Sequence, residues 1–459
     1  MTAIDVSDPR PVHFVGIAGA GMRALAELLA RRGVTVTGCD ANPGATSDLQ
    51  ALGIEVARGH SPDHVAGARE LIVTSAMSRN HPELERAREL GIPITRRAEA
   101  LGRAVAGGRL VGVAGTHGKT TTTVMTTAAL ASAGLRPTGI AGGRVAEWNG
   151  NLRYESDELF VVEADEYDRS FLTLTPTVAV VTNVEADHLD IYRDLEDITS
   201  TFARFVRNAA AIVLCDDDSG ARSLALPASA EVVRYGIKSR DARLVAHDIR
   251  SEGHTTTFGV SHDGDPLGEV VLRVPGFHNV QNALAAIGSG LVLGTTLDVM
   301  RDGLLAFQGV DRRFQHLCDV AGVTIIDDYA HHPTEISATV QAARASYPGR
   351  RIVAAFQPHL FSRTRDFAAA FGAALSAADC VFLAEIYPAR EQPIAGVTSE
   401  LVASAMVRAG RPVIWQGSRS DLADALAQFV REGDVVITIG AGDITQTGPE
   451  LRQRLGARE

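Results

Sequence analysis

A short apolar run, Leu110–Ala114, ends in Gly115-Thr116-His117-Gly118-Lys119-Thr120 and then passes into a helical pattern. Strand, glycine turn and helix in that order build an anion site. Glycines let the backbone curl until its amide hydrogens face phosphate oxygens, and the helix N-terminus adds the positive end of its dipole. Lys119 then neutralises β- and γ-phosphate charge, and Thr120 offers a hydroxyl to magnesium. The longer loop Gly-x-x-x-x-Gly-Lys-Thr needs glycine at 113, where this chain has Val113; the spacing here is the shorter Gly115-x-x-Gly118. Lysine usage sharpens the reading. Lys119 and Lys238 are the only lysines among 44 cationic side chains. A lysine retained inside Gly-Lys-Thr points to chemistry rather than to a solvated surface.

The rest of the chain sets the frame for that loop. Its 459 residues suggest about three domains at roughly 150 residues each. Apolar runs that end in polar clusters recur: Val12–Val15, Val34–Gly38, Leu159–Val162, Val178–Thr182, Val323–Ile326, Ile352–Phe356, Cys380–Leu383, Val413–Trp415 and Val435–Ile439. Helical stretches separate them, which predicts an α/β fold of parallel sheets covered by helices. In such sheets ligands bind beyond the carboxyl ends of strands. A net charge of −11 with no basic run argues against nucleic-acid or membrane-surface binding. No stretch approaches the ~20 apolar residues of a membrane span, and no signal peptide is visible. Cys39, Cys215, Cys318 and Cys380 stand apart in sequence and read as reduced core or neutral positions, neither disulfide staples nor zinc ligands.

Two clusters follow strands of the middle block. Glu163-Ala164-Asp165-Glu166-Tyr167-Asp168 gathers four carboxylates that repel one another unless a cation is present, as expected of a magnesium-holding segment beside a phosphate loop. Asn183-Val184-Glu185-Ala186-Asp187-His188-Leu189-Asp190 sets a histidine between close carboxylates, suited to a metal or to orienting a substrate carboxylate. In the first block Gly16-Ile17-Ala18-Gly19-Ala20-Gly21 follows a strand and opens a helix, with Asp40 ending the next strand. That turn suits a pyrophosphate, with Asp40 free to bond a sugar hydroxyl.

Together these segments resemble the Mur ligase family, the ATP-dependent amide-bond ligases of peptidoglycan precursor synthesis. The resemblance also rests on Thr74-Ser75-Ala76-Met77, Gly276-Phe277-His278-Asn279-Val280-Gln281-Asn282, Asp311-Arg312-Arg313-Phe314, Asp327-Asp328-Tyr329-Ala330-His331-His332-Pro333 and Gln357-Pro358-His359, and it covers essentially the whole chain. It implies three domains: residues 1–107, Rossmann-like, for a UDP-sugar; 108–310, a P-loop ATPase-type domain, for ATP; and 311–459, Rossmann-like, closing over the nucleotide and holding the amino acid. The first would use Gly16, Ala18, Gly19, Ala20, Gly21, Met22, Asp40 and Ser75. ATP would meet Gly115, Thr116, His117, Gly118, Lys119, Thr120 and Thr121, an adenine edge of His278, Asn279 and Asn282, and Arg313 and Asp328 from the third domain. Thr120, Glu163 and His188 would hold Mg2+, or Mn2+, with Lys119, Glu163 and His188 as the catalytic set. His331, His359, Arg363, Tyr387 and Arg390 are candidates for the amino-acid pocket, where an arginine suits a carboxylate.

Departures from the family pattern narrow it further. Ala18 and Arg23 stand where a glycine and a small residue are common, and Tyr167 and Ala330 where Ser and Gly are frequent. Later-step members carry a carbamylated lysine after the Asp-His motif; Leu189–Arg207 has no lysine. The resemblance therefore implies the branch that joins L-alanine to UDP-N-acetylmuramate, in the cytoplasm, as a monomer or homodimer. The alternatives are a recycling ligase that attaches a murein peptide to the same sugar nucleotide, a nucleotide-gated binding protein without ligase activity, and a nicotinamide-dependent oxidoreductase built on the first glycine turn.

Overall fold

Continuous apolar strands need cover on both faces, and the chain supplies it three times over. The structure is a computed structural model that describes residues 6–44, 46–74, 77–78, 80–389 and 391–457. The first sheet has five parallel strands, in spatial order Glu55–Arg58, Val36–Asp40, Val12–Val15, Glu70–Val73 and Ile94–Arg96. The strand order reverses at Val12–Val15, so the glycine turn after that strand lies at the switch point where open α/β sheets bind ligands. The helix Ala20–Arg31 leaves this turn and buries Met22, Leu25, Leu28 and Leu29.

The second sheet has ten strands. Its parallel heart is Ala211–Cys215, Val178–Val181, Arg109–Ala114 and Leu159–Glu163, so the phosphate loop and both acidic clusters follow neighbouring strand ends. On one side Glu231–Gly236 and then Leu244–Glu252 continue it in parallel, and Thr255–His262 and Asp265–Leu272 follow antiparallel; on the other Thr138–Val145 joins Leu159–Glu163 in parallel and pairs antiparallel with Gly150–Arg153. Alternating strands and helices predict parallel strands alone; Leu244–Glu252 and Asp265–Leu272 carry exposed polar positions that interrupt the apolar runs. The third sheet has six strands, with Gln315–Val320 antiparallel at one edge and Val323–Asp328, Val435–Ile439, Ile352–Phe356, Cys380–Ala384 and Trp415–Gly417 parallel. No helix among the described residues is long and apolar enough to cross a membrane.

The domains meet in two different ways. One buried apolar cluster runs without a break from the first sheet (Phe14, Leu25, Leu101) into the second (Leu110, Phe160, Phe171, Phe205). Gly102 lies so close to this junction that an added Cβ would sit 2.5 Å from the Thr173 carbonyl oxygen. The third domain keeps its own two apolar clusters, on opposite faces of its sheet. It reaches the middle domain through polar side chains, described next.

Candidate active site

The turn Gly115–Gly118 closes as its residue types require. Gly115 (φ +147°) and Gly118 (φ +79°) take backbone conformations that L side chains rarely adopt, and a Cβ on Gly118 would meet Asn282 Oδ1 at 2.6 Å. Asn183, after the next strand, braces the turn: its carbonyl accepts the Thr116 amide at 3.1 Å and its Oδ1 the His117 amide at 2.7 Å. Helix Lys119–Ser132 starts directly from Gly118, so its first-turn amides lack intrahelical partners and face the opening.

Lys119 folds back over this turn. Its Nζ donates to the Gly115 carbonyl at 2.6 Å and to the Thr116 carbonyl at 3.2 Å, and pairs with both oxygens of Glu166 at 2.8–3.0 Å. Burial works against the ammonium, but Glu166 and Asp165 outweigh it and keep Lys119 charged. Glu166 in turn is drawn below its usual range against burial, by Lys119 and by His188, whose Nε2 is 3.6 Å from Oε1. Thr120 donates its hydroxyl to Glu163 at 3.0 Å, and the Gly142 amide donates to the other Glu163 oxygen. Burial pushes Glu163 up, a mark of a carboxylate that gains from a nearby cation. A hydroxyl and a buried carboxylate are the oxygen donors that a hard divalent cation prefers. His188, held at φ +52°, stands on the same cavity wall, so Thr120, Glu163 and His188 are the residues that could hold a divalent cation.

The third domain completes the site with charge. Arg363 donates from Nε (3.1 Å) and Nη2 (2.7 Å) to Asp187 Oδ1, with both side chains almost fully buried. Burial would raise Asp187, yet Arg363 and His188 hold it well below the carboxylate range. His117 sits between Glu185 of its own domain (3.2 Å) and Glu335 of the third (3.3 Å). Burial disfavours its imidazolium, but these two carboxylates hold it at about 9. Thr334 also reaches across to Glu185 at 2.7 Å.

The space between the domains has two lobes that meet at His117 and Gly118. The smaller, about 160 Å³, is lined by His278, Asn279, Asn282, Phe307, Phe314 and Thr121, with Arg313 and Asp328 from the third domain. Burial pushes His278 down to about 4, so its ring is neutral near pH 7, and lifts Asp328 to about 6. The Asp328 oxygens accept the Phe314 and Ala330 amides, each at 2.7 Å. The larger lobe, about 770 Å³, holds Lys119, Glu163, His188, His331, His359 and Arg363. His331 is pushed to about 4 by burial and is neutral near pH 7. Tyr387 lies behind His359, ring on ring at 5.7 Å.

The first glycine turn is a separate place. Gly16 and Ile17 donate to the Cys39 carbonyl at 2.8 and 3.1 Å, and Ala18 donates to Asp40 Oδ2 at 3.1 Å. Asp40 Oδ1 takes the Asn42 amide, so this carboxylate clamps the turn. Gly19 is the N-cap of the following helix, Ala20, Gly21 and Met22 form its first turn, and a Cβ on Gly21 would meet Arg97 at 2.9 Å. Ser75 and Arg390 lie outside the described residues. Glu166, Asp187, Glu185 and Asn183 lie in clusters that the sequence places at the site, but it assigns no individual role to them or to Glu335. Glu166, Asp187, Glu185 and Glu335 stand inside or beside quoted motifs, but their partners lie far away in sequence.

Comparison with known proteins agrees along the length of the chain. Residues 11–109 match the description "Mur ligase family, catalytic domain", 113–290 "Mur ligase middle domain" and 312–442 "Mur ligase, glutamate ligase domain". The UDP-N-acetylmuramate–L-alanine ligase of Salinibacter ruber is 43% identical over 441 residues, 95% of this chain and 93% of that one. The enzyme of that name from Acidothermus cellulolyticus is 45% identical over 447 residues, 96% and 93% of the two chains. The crystal structure of UDP-N-acetylmuramate–alanine ligase from Thermotoga maritima superposes with a TM-score of 0.83 at 29% identity, covering 98% of this chain and 100% of that one. A murein peptide ligase from Psychrobacter arcticus gives 0.70 at 25% identity, with 97% and 99% coverage.

Proposed function

The chain belongs to the Mur ligase family, and from that premise we propose that it joins L-alanine to the lactyl carboxylate of UDP-N-acetylmuramate at the expense of ATP. The products are UDP-N-acetylmuramoyl-L-alanine, ADP and phosphate, formed by way of an acyl phosphate. The observation that carries the reading is the single interdomain space in which Lys119, Glu163 and His188 face His331, His359 and Arg363. A phosphoryl-transfer half and an anion-binding half share one chamber there.

In this reading the small lobe takes adenosine and the Gly115–Thr121 turn takes the phosphates. ATP phosphate replaces Glu166 and the two loop carbonyls as the partner of Lys119. Thr120, Glu163 and His188 are the residues that would hold Mg2+, or Mn2+, which when bound offsets charge on the phosphate oxygens. Arg363 and Asp187 lock the third domain against the middle one, and closure keeps water from the acyl phosphate. The amine of alanine then attacks the activated carbonyl and phosphate departs. The neutral His331 stands in the same lobe with His359 and Arg363; with Nε and Nη2 of Arg363 held by Asp187, its Nη1 is the donor left for the alanine carboxylate. UDP-sugar binding falls to the Gly16–Gly21 turn, and the cytoplasm supplies the ATP.

The test is phosphate release from purified protein with ATP, Mg2+ and UDP-N-acetylmuramate, offering amino acids one at a time. Release with L-alanine above all others is expected. Release only with a murein tripeptide would reassign the enzyme to peptide recycling, and no release with any acceptor would remove the ligase reading.

A further inference from the structure

A cluster of side chains of metal-ligating types lies in the first domain, remote from the phosphate loop in sequence and outside the residues given a role in the ligase reaction. Sheet register places His13 opposite Thr37 and Val15 opposite Cys39, so His13, Thr37 and Cys39 share one face. The short turn Pro62–Val65 and the helix Pro82–Glu89 cover that face, bringing His64 and Glu83 onto it. Glu83 is fully buried beside an apolar cluster of Val15, Val65, Leu71 and Leu84. A carboxylate there needs a counter-charge. Among the described residues its ion-pair partners are histidines: His64 at 2.8 Å, His60 at 3.4 Å and His81 at 3.8 Å.

Donor atoms of His13, Cys39, His64 and Glu83 all lie within 4.8 Å of one another. Cys39 Sγ is 3.1 and 3.2 Å from the two Glu83 oxygens. Ligands of a tetrahedral zinc, about 2.0–2.3 Å from the ion, stand roughly 3.3–3.8 Å apart, so small side-chain shifts convert one arrangement into the other. An independent sign comes from His13. It is 2% exposed, its Nδ1 meets Thr37 Oγ1 at 2.9 Å, and its Nε2 is buried with no partner among the described residues. One ring nitrogen fixed by a hydroxyl and the other left free is the disposition of a metal-ligating histidine.

We propose that His13, Cys39, His64 and Glu83 form a structural metal site, selective for Zn2+ over Mg2+ because it combines a thiolate, two imidazoles and a carboxylate. On binding, the Cys39 thiol loses its proton to solvent and its sulfur bonds the metal; His13 binds as the neutral ring that burial favours. Cys39 had read from sequence spacing as a plain core residue; the fold supplies the partners that spacing lacked. Its carbonyl also anchors the Gly16 and Ile17 amides, so the site would stiffen the first glycine turn from beneath.

The test uses the full chain, stripped with chelator and titrated with Zn2+ or Co2+ alone in excess Mg2+. One tightly held equivalent is expected, and the cobalt form should show tetrahedral visible bands with a near-ultraviolet sulfur-to-cobalt band. Cys39→Ala should abolish the sulfur band, and His64→Asn should weaken binding at least tenfold. Circular dichroism and melting of the metal-free variants check that they remain folded. If either variant fails to fold, wild-type stoichiometry and the sulfur band decide the matter. No bound equivalent, a cobalt spectrum without the sulfur band, or a sulfur band unchanged in Cys39→Ala overturns the proposal. The second group around the same carboxylate, His60, His81 and Glu83, has no thiol and is separated from this one by that band. None of these readouts depends on turnover, so failure here leaves the ligase reading intact.

Discussion

The two domain junctions differ in kind. Between the first and middle domains the contact is a continuous apolar core, reinforced by Arg32 paired with Asp157 at 2.6 Å. Between the middle and third domains the contacts around the site are ionic and hydrogen-bonded: Arg363 with Asp187, His117 with Glu335, Thr334 with Glu185, and Arg144 with Asp311 at 3.1 Å. An apolar junction is stable whatever occupies the site. A polar one is sensitive to every charge that enters or leaves, because desolvated ions gain or lose several kcal/mol with their partners. From this contrast we expect the first two domains to behave as one platform and the third to respond to ligand charge.

The heaviest blow falls where the polar junction meets the phosphate loop. Lys119→Ala should lower L-alanine-dependent phosphate release by about a thousandfold or more, in line with the loss of a pre-placed charge at a reacting phosphate. Near wild-type turnover would remove Lys119 from the site. Arg363→Ala leaves Asp187 buried without its partner, at a cost of about 3–5 kcal/mol. We expect turnover to fall at least a hundredfold, and a separate early melting transition for the third domain in calorimetry; one unchanged transition would show that the pair does not lock that domain. Gly102→Ala attacks the apolar junction instead, forcing a methyl against the Thr173 carbonyl oxygen. Overpacking of that kind costs about 1–3 kcal/mol. The whole melting curve should shift down with little change in kcat, and a selective loss of turnover would erase the contrast between the junctions. A last effect is one of pH. His117 is lifted in the folded protein from 6.5 to about 9. Its stabilising pairs with Glu185 and Glu335 are therefore complete below pH 6.5 and are lost as pH rises through 9. Wild type should lose melting temperature across that window and His117→Gln should not; parallel curves would remove the pairing from the junction.

Much of the frame was legible because buried parallel strands are short continuous apolar runs. Val12–Val15, Ile352–Phe356 and Val435–Ile439 begin and end where the composition says. The edge strand Trp415–Gly417 starts two residues later than its apolar pattern, since a single neighbour constrains it less. The antiparallel edge Leu244–Leu272 was missed: its strands have one wet face, and polar residues such as Arg250 and Glu269 break up the pattern. In the site, the glycines, Lys119 and Thr120 are local and were visible. The partner of Lys119 is 47 residues away and that of Asp187 is 176 away, in another domain. No periodicity encodes such pairs; they exist only once three sheets have been assembled.

The near absence of lysine gives the protein a built-in reporter. One side-chain amine, Lys119, is buried in the loop with 13% of its side chain exposed, and the other, Lys238, lies on the surface. An acylating reagent read by mass spectrometry would therefore see two lysines of opposite accessibility. The surface amine calibrates the dose, and the loop amine records how often the phosphate site stands empty and open.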